Sequence, residues 1–152
     1  VWRIILSVLF RKEHPDAQLP TKANYEDAGF DLRAIKDYVI EPGETVFVDT
    51  GISVAVPRSH VGLLFQRSSM VKVGLQLANC VGVIDSGYRG NLMAAIRNTN
   101  EESHCSILKG DRVAQLVVMP FWMTDAAWFN GDETEWRDTT RGLGGFGSSG
   151  KS

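Results

Sequence analysis

Apolar and polar residues alternate along this chain in short runs with a period near two, the spacing of strands and not of helices. Trp2, Ile4, Leu6, Val8 and Phe10 fall on one face of a first strand, expected over residues 2–10. Residues 28–34, AGFDLRA, predict a short strand in which Phe30 and Leu32 face opposite to Asp31 and Arg33. Further strands are expected over residues 46–48, 52–56, 61–65, 75–78, 105–108 and 112–119, with one helical turn over 70–73. Turns fall at Glu41-Pro42-Gly43-Glu44, Asp49-Thr50-Gly51 and Gly110-Asp111.

The stretch 79–98, NCVGVIDSGYRGNLMAAIRN, predicts a β-hairpin. Its apolar run 81–84 ends on Asp85, Ser86-Gly87 supplies a turn with Gly at φ > 0, and 92–96 returns as a strand. After Pro120 the pattern turns irregular, with Trp122, Trp128 and Trp136 in a polar background. Residues 141–152 are rich in Gly and Ser and are expected to stay mobile unless a ligand orders them. Short strands with regular turn signals and almost no helical period predict an all-β sandwich or barrel.

Composition narrows the function more than the fold. At 152 residues the chain is expected to form one domain. Its 43% apolar and 22% charged residues are ordinary for a globular chain. A net charge of −2 gives no basic footprint, so neither nucleic acid nor an anionic membrane is expected as a partner. Any phosphate must be met by a few placed Arg side chains and backbone amides. Cys80 and Cys105 lack metal or redox spacing and read as buried free thiols in a reducing compartment. His14, His60 and His104 form no ligand pattern. The apolar opening 4–10 is too short to span a membrane and is followed at once by Arg11-Lys12-Glu13-His14-Pro15. The expected setting is intracellular, in the cytoplasm.

Three segments carry candidate chemistry. Asp85 stands with Tyr88 and Arg89 at the hairpin mouth, where a carboxylate suits a general base; read alone it equally suits a turn cap. Gln66-Arg67-Ser68-Ser69 follows a strand and offers a guanidinium fork and two hydroxyls to phosphate, or else an N-cap to the next turn. The tail 141–150, RGLGGFGSSG, embeds Arg141 and Phe146 among glycines and serines, which suits close approach to an anion and stacking on a ring. Residues 145–152, GFGSSGKS, also match G-x-x-x-x-G-K-[ST]. That motif works only between a strand and a helix, and neither pattern flanks it here, so a P-loop is not expected.

Five motifs in order, AGFDLRA (28–34), RSS (67–69), GVIDSGYRG (82–90), GDRVAQL (110–116) and RGLGGFGSSG (141–150), resemble those of the trimeric deoxyuridine triphosphatases, or dUTPases. The resemblance covers nearly the whole chain. It implies a jelly-roll-like β-barrel over residues 1–138 with a mobile C-terminal tail over 139–152, and a homotrimer whose sites are shared between chains. It further implies Mg²⁺-dependent hydrolysis of dUTP to dUMP and pyrophosphate, which keeps uracil out of DNA and supplies dUMP for thymidylate synthesis. By that similarity Asp85 activates the attacking water, and Asn79 with the backbone at Val83 and Ile84 holds uracil while Tyr88 packs on the deoxyribose. Asp31 reaches Mg²⁺ through water and Gln115 joins it at the triphosphate. Arg67, Ser68 and Ser69 meet phosphates, and Arg141, Gly145, Phe146, Gly147, Ser148 and Ser149 close over the substrate.

Two positions depart from the family pattern. Gly87 stands where many members carry an acid, which leaves Asp85 as the sole carboxylate of that turn, and Ser69 stands where Gly is common. Arg-Ser-Ser also resembles the dCTP deaminases of the same fold, which carry a Glu on the strand after the hairpin. The matching residue here is Ala95 and no acid lies on that strand, which argues against deamination. A nucleotide-sensing role that keeps the pocket is compatible with intact motifs, as an added function.

Overall fold

A computed structural model describes residues 7–141 and residue 143, and the period-two segments are its strands. Chain order gives β1 (Leu9–Lys12), β2 (Gly29–Arg33), β3 (Tyr38–Ile40), β4 (Thr45–Asp49), β5 (Ile52–Ala55) and β6 (His60–Phe65). A 3₁₀ turn over Ser68–Val73 follows, then β7 (Leu75–Leu77), β8 (Val81–Ile84), β9 (Met93–Asn98), β10 (Cys105–Ile107) and β11 (Arg112–Pro120). The strands lie in a unit that runs to Trp122, and a second unit begins at Met123. The second holds α1 (Glu133–Arg137), whose N-terminus is capped by the Asp132 side chain accepting from Glu135 N at 2.9 Å. Neither β3 nor α1 was expected from the sequence. Both are too short to show a period, although Asp132 and Glu135 carry a local capping signal.

Antiparallel pairing gives a four-stranded sheet in the order β2-β11-β6-β8, a three-stranded sheet β4-β9-β7, and the ribbons β1-β5 and β3-β10. The fold is all-β and jelly-roll-like. The inner faces meet in a core around Leu32, Ile40, Val48, Val54, Leu92, Ile96 and Leu116, all almost fully buried. Val8 and Phe10 pack against that core, as the alternation of the first strand predicts, while residues 2–6 of that expected strand lie outside the described residues.

The expected hairpin is not one. β8 pairs with β6 in the four-stranded sheet, whereas β9 pairs with β4 and β7 in the other. Two apolar runs around a polar turn carry the local signal of a hairpin whether they pair with each other or leave for different sheets. Residues 85–92 are therefore a crossing between sheets. Gly87 also takes no positive φ, so the turn does not depend on glycine there, and a side chain at 87 would meet open space. Of the two free thiols Cys105 is buried, but Cys80 is exposed, because it sits at φ 60° in the turn between β7 and β8.

The four-stranded sheet turns one face to the core. Its outer face carries two cross-strand rows, Asp31–Gln115–Phe65–Val81 and Gly29–Val117–Leu63–Val83. A register irregularity between Arg112 and Ala114 changes the phase of β11 at its start. In a regular strand Arg112 would share the inward face of Ala114 and Leu116. The bulge buries Val113 beside Ala114 and returns Arg112 to the outer face, next to Asp31.

Candidate active site

The β2 edge of that outer face is a corner where Arg, Asp, Ser and Gln side chains gather. Asp31 is largely buried and lies between two guanidiniums: Arg67 Nε donates to Oδ1 at 2.7 Å and Arg112 Nη1 to Oδ2 at 3.1 Å. Arg67 also donates through Nη1 to Ser69 Oγ at 3.1 Å. It occupies the N-cap position of the 3₁₀ turn with no side-chain cap bond, so the Ser pair is not spent on capping. Two guanidiniums meet at one carboxylate here and keep N–H donors for an incoming phosphate, while Asp27 on the same cavity brings its lining to two arginines and two aspartates.

A cavity of about 320 Å³ opens here, lined by Gly29, Asp31, Arg67, Ser68, Arg112 and Gln115 among others. Ser68 faces it, whereas Ser69 lines a neighbouring cavity that shares Arg67 and Arg112. Gln115 donates its amide to Gln66 O at 3.0 Å, which turns its oxygen toward Gly29. A Cβ at residue 29 would come within 2.6 Å of that oxygen, so a side chain there would push the Gln115 amide out of its place. Gln66 itself is used structurally, its Oε1 accepting from Leu77 N at 3.0 Å.

At the far edge, around β8, a second cavity of about 370 Å³ is lined by Phe47, Asn79, Gly82, Val83, Ile84, Tyr88, Asn91 and Met93 among others. It has the character of a nucleoside pocket, with apolar walls and a few polar groups at fixed places. Tyr88 donates its phenol to Asn91 O at 3.1 Å, and its ring folds onto Gly90, where any Cβ would collide with it. Arg89 donates to Ser86 O and Tyr88 O at 2.7 and 2.8 Å, so it braces the loop and does not reach into the cavity. Asp85 follows β8 directly and is exposed. Its backbone oxygen accepts from Tyr88 N at 3.0 Å, while no hydrogen bond or ion pair engages its carboxylate among the described residues. A carboxylate with no such partner is available for chemistry.

The structure thus brings Asp31, Arg67, Ser68 and Gln115 together, and separately Asn79, Val83, Ile84 and Tyr88; the two cavities share no lining residue. Asp85 lines neither. Arg141 is exposed, and the expected tail contacts Gly145, Phe146, Gly147, Ser148 and Ser149 lie outside the described residues. Sequence reasoning missed Arg112, whose aim depends on the bulge, and Asn91, which reads as one more polar turn residue. The adjacent apolar pair Val113-Ala114 is a weak signal for the bulge, since residues 116–119 of the same strand are apolar throughout.

No group of three or more His, Cys, Asp or Glu gathers as a metal cage among the described residues. Asp31 and Gln115 offer oxygens, and the Asp31 carboxylate is already neutralised by Arg67 and Arg112. That donor set fits Mg²⁺ held through water and phosphate, not a direct protein cage. No helix among the described residues is long and apolar enough to cross a membrane.

Comparison with known proteins points to one family. The dUTPase family model matches residues 15–150. The chain is similar to the deoxyuridine 5'-triphosphate nucleotidohydrolase of Mycolicibacterium gilvum (strain PYR-GCK), 41% identical over 138 residues, covering 90% of each chain. That of Rhodococcus erythropolis (strain PR4 / NBRC 100887) is 42% identical over 146 residues, covering 95% of this chain and 87% of the relative. Among solved structures, the Staphylococcus bacteriophage 80alpha dUTPase with dUpNHpp superposes with a TM-score of 0.82 at 28% identity, covering 96% of this chain and 99% of that one. A mutant dUTPase from phage phi11 of S. aureus, described with a structural Mg(II) ion, gives 0.77 at 27% identity over 84% of this chain and 99% of its own.

Proposed function

We propose, for a chain that belongs to the dUTPase family and hydrolyses dUTP, that Asp85 is the general base and that each site is built from more than one copy of the chain. The observation that carries this reading is the free Asp85 carboxylate one residue after Ile84, which lines a nucleoside-sized cavity at the opposite sheet edge from the Arg67–Asp31–Arg112 corner.

Asp85 takes a proton from a water, whose oxygen attacks the α-phosphorus. The bond from that phosphorus to the bridging oxygen breaks, and pyrophosphate leaves with dUMP formed. Positioned proton transfer of this kind contributes about 10²–10⁴ in rate. Asn79 and the backbone at Val83 and Ile84 pair the uracil edge, and a pocket that pairs a base edge rejects bases that leave its polar groups unpaired. Tyr88 fills the space a 2′-hydroxyl would need. Arg67, Ser68 and Arg112 hold phosphate oxygens. Asp31 and Gln115 would hold, through water, a Mg²⁺ carried on the triphosphate, and that ion would screen the phosphate charge. The tail, residues 139–152, supplies Arg141, Ser148 and Ser149 to the phosphates and lays Phe146 over the base, which excludes water.

Two features support sharing. Three strand spacings, across β11 and β6, separate the phosphate corner from the β8 edge, roughly 14 Å. Between them lie Leu63, Phe65 and Val117, and a triphosphate crossing that apolar strip would lose hydration without gaining partners. The same strip, with Val81 and Val83 exposed beside it, is surface that a second copy would cover. A homotrimer satisfies both requirements by setting one chain's β8 edge against another's phosphate corner. Deamination of a cytosine nucleotide finds no support, since β9 carries no acidic residue and Ala95 occupies the relevant position. Incubation with dUTP, dCTP, dTTP and UTP, scoring pyrophosphate and ammonia separately, tests the reading. Pyrophosphate from dUTP alone is expected, and ammonia from dCTP would overturn it.

A further inference from the structure

The loop that carries Asp85 and Tyr88 has to be held still, and it runs between sheets without a partner strand. Asn91, near its end, does two things at once. The backbone oxygen of Asn91 accepts the Tyr88 phenol at 3.1 Å. Its side-chain Nδ2 donates to Oδ1 of Asp49 at 2.5 Å. Asp49 ends β4, and the same Oδ1 also accepts from Gly51 N at 2.7 Å, which fixes the carboxylate against the following turn. The neighbouring peptide is stitched to that turn as well, with Thr50 Oγ1 donating to Leu92 O at 2.6 Å and Leu92 N to Ile52 O at 2.7 Å.

The other end of the Asn91 amide is telling. Its Oδ1 is buried and finds no hydrogen-bond donor among the described residues. A buried orphan acceptor is costly, and turning the amide over would ordinarily relieve it. Here a turn would set the oxygen against the Asp49 carboxylate, which can only accept. The bond to Asp49 therefore dictates the orientation of Asn91, and the orphan oxygen is its consequence. Asn91 also lines the nucleoside cavity with Tyr88, so any shift of its peptide moves the phenol that faces the ligand.

We propose that Asn91, oriented by Asp49, is a positioning residue that sets the place of the Tyr88 phenol and through it the preference for deoxyribose over ribose. The inference rests on the role of Tyr88 given above. Asn91→Ala removes the donor of the bond, Asp49→Ala removes its acceptor, and Asn91→Asp keeps size and shape but opposes two carboxylates. The measurement is the ratio of kcat/KM for dUTP over UTP, taken with the melting temperature. Asn91→Asp is expected to lower the ratio about 10-fold, each alanine variant to lower it too, and the Asp49→Ala/Asn91→Ala double variant to fall no further than the lower of the two single variants, as members of one bonded pair do. An unchanged ratio in a folded Asn91 variant, or additive losses in a folded double variant, would overturn the proposal. A wild-type enzyme that hydrolyses dUTP yet uses UTP equally well would instead overturn the role of Tyr88 itself.

Discussion

Asp31 Oδ1 accepts from Arg67 Nε at 2.7 Å, while its other oxygen accepts from Arg112 at 3.1 Å, so one carboxylate holds two guanidiniums at the mouth of the anion cavity. A carboxylate engaged on both oxygens still has lone pairs for a water, but it is a poor direct ligand for a divalent cation. Asp31 organises the corner, and its carboxylate is spent on the two arginines.

The first prediction follows from that division of labour. Asp31→Asn weakens the hold on both arginines and on the metal-bound water together. The Mg²⁺ concentration for half-maximal turnover should rise about 10-fold, some 1.4 kcal/mol. A metal titration of the purified variant measures it, and an unchanged half-saturation would remove Asp31 from the metal's surroundings.

Gly90→Ala tests the geometry at the other edge. A Cβ at residue 90 would collide with the Tyr88 ring, so the ring must leave its place. The variant should lose discrimination between dUTP and UTP much as Tyr88→Ala does. Adding Gly90→Ala to Tyr88→Ala should then change little, because the two act on one ring. Additive losses in the double variant would mean that Gly90 serves something else.

Asp85→Asn should keep the fold, because among the described residues the carboxylate makes no hydrogen bond or ion pair to lose. Turnover should fall by at least about 10²-fold with substrate binding retained, the scale of a lost general base. Binding of dUpNHpp by calorimetry alongside steady-state rates separates the two effects. Near-wild-type turnover would exclude the assignment.

Phe146→Ala should weaken substrate binding by about 1–2 kcal/mol, the scale of a base stacked on an aromatic ring. The tail should also resist proteolysis when dUpNHpp is present and be cut when it is absent. Equal cleavage in both conditions would argue that the tail never closes.

Much of the fold was legible because the sheets turn one face to the core. Leu32, Leu64 and Leu116 are buried while Asp31, Phe65 and Gln115 face out, and alternation reports that directly. What alternation cannot report is which strand a segment joins. Residues 81–84 and 92–96 read as partners and go to different sheets, since pairing is set by packing far along the chain. Single-residue phase changes are equally silent, and Arg112 reaches Asp31 only through one. Asp85 and Tyr88 stood out by residue type beside a turn. Asn91 and Asp49 did not, because their role lies in a bond between positions 42 residues apart.

The central claim is a base from one chain working on phosphates held by another. Asp85→Asn disables the β8 edge, and Arg67→Ala disables the phosphate corner. Each variant alone should be nearly inactive. When the two are denatured and refolded together, either kind of mixed trimer rebuilds one intact site in three. About a quarter of the wild-type rate should return, since three-quarters of random trimers are mixed. Native mass spectrometry confirms that mixing has occurred. Pyrophosphate release from dUTP by the co-refolded mixture, against either variant refolded alone, is the decisive measurement: a gain toward a quarter of wild type is the expected result, and no gain in confirmed mixed trimers would contradict the shared site.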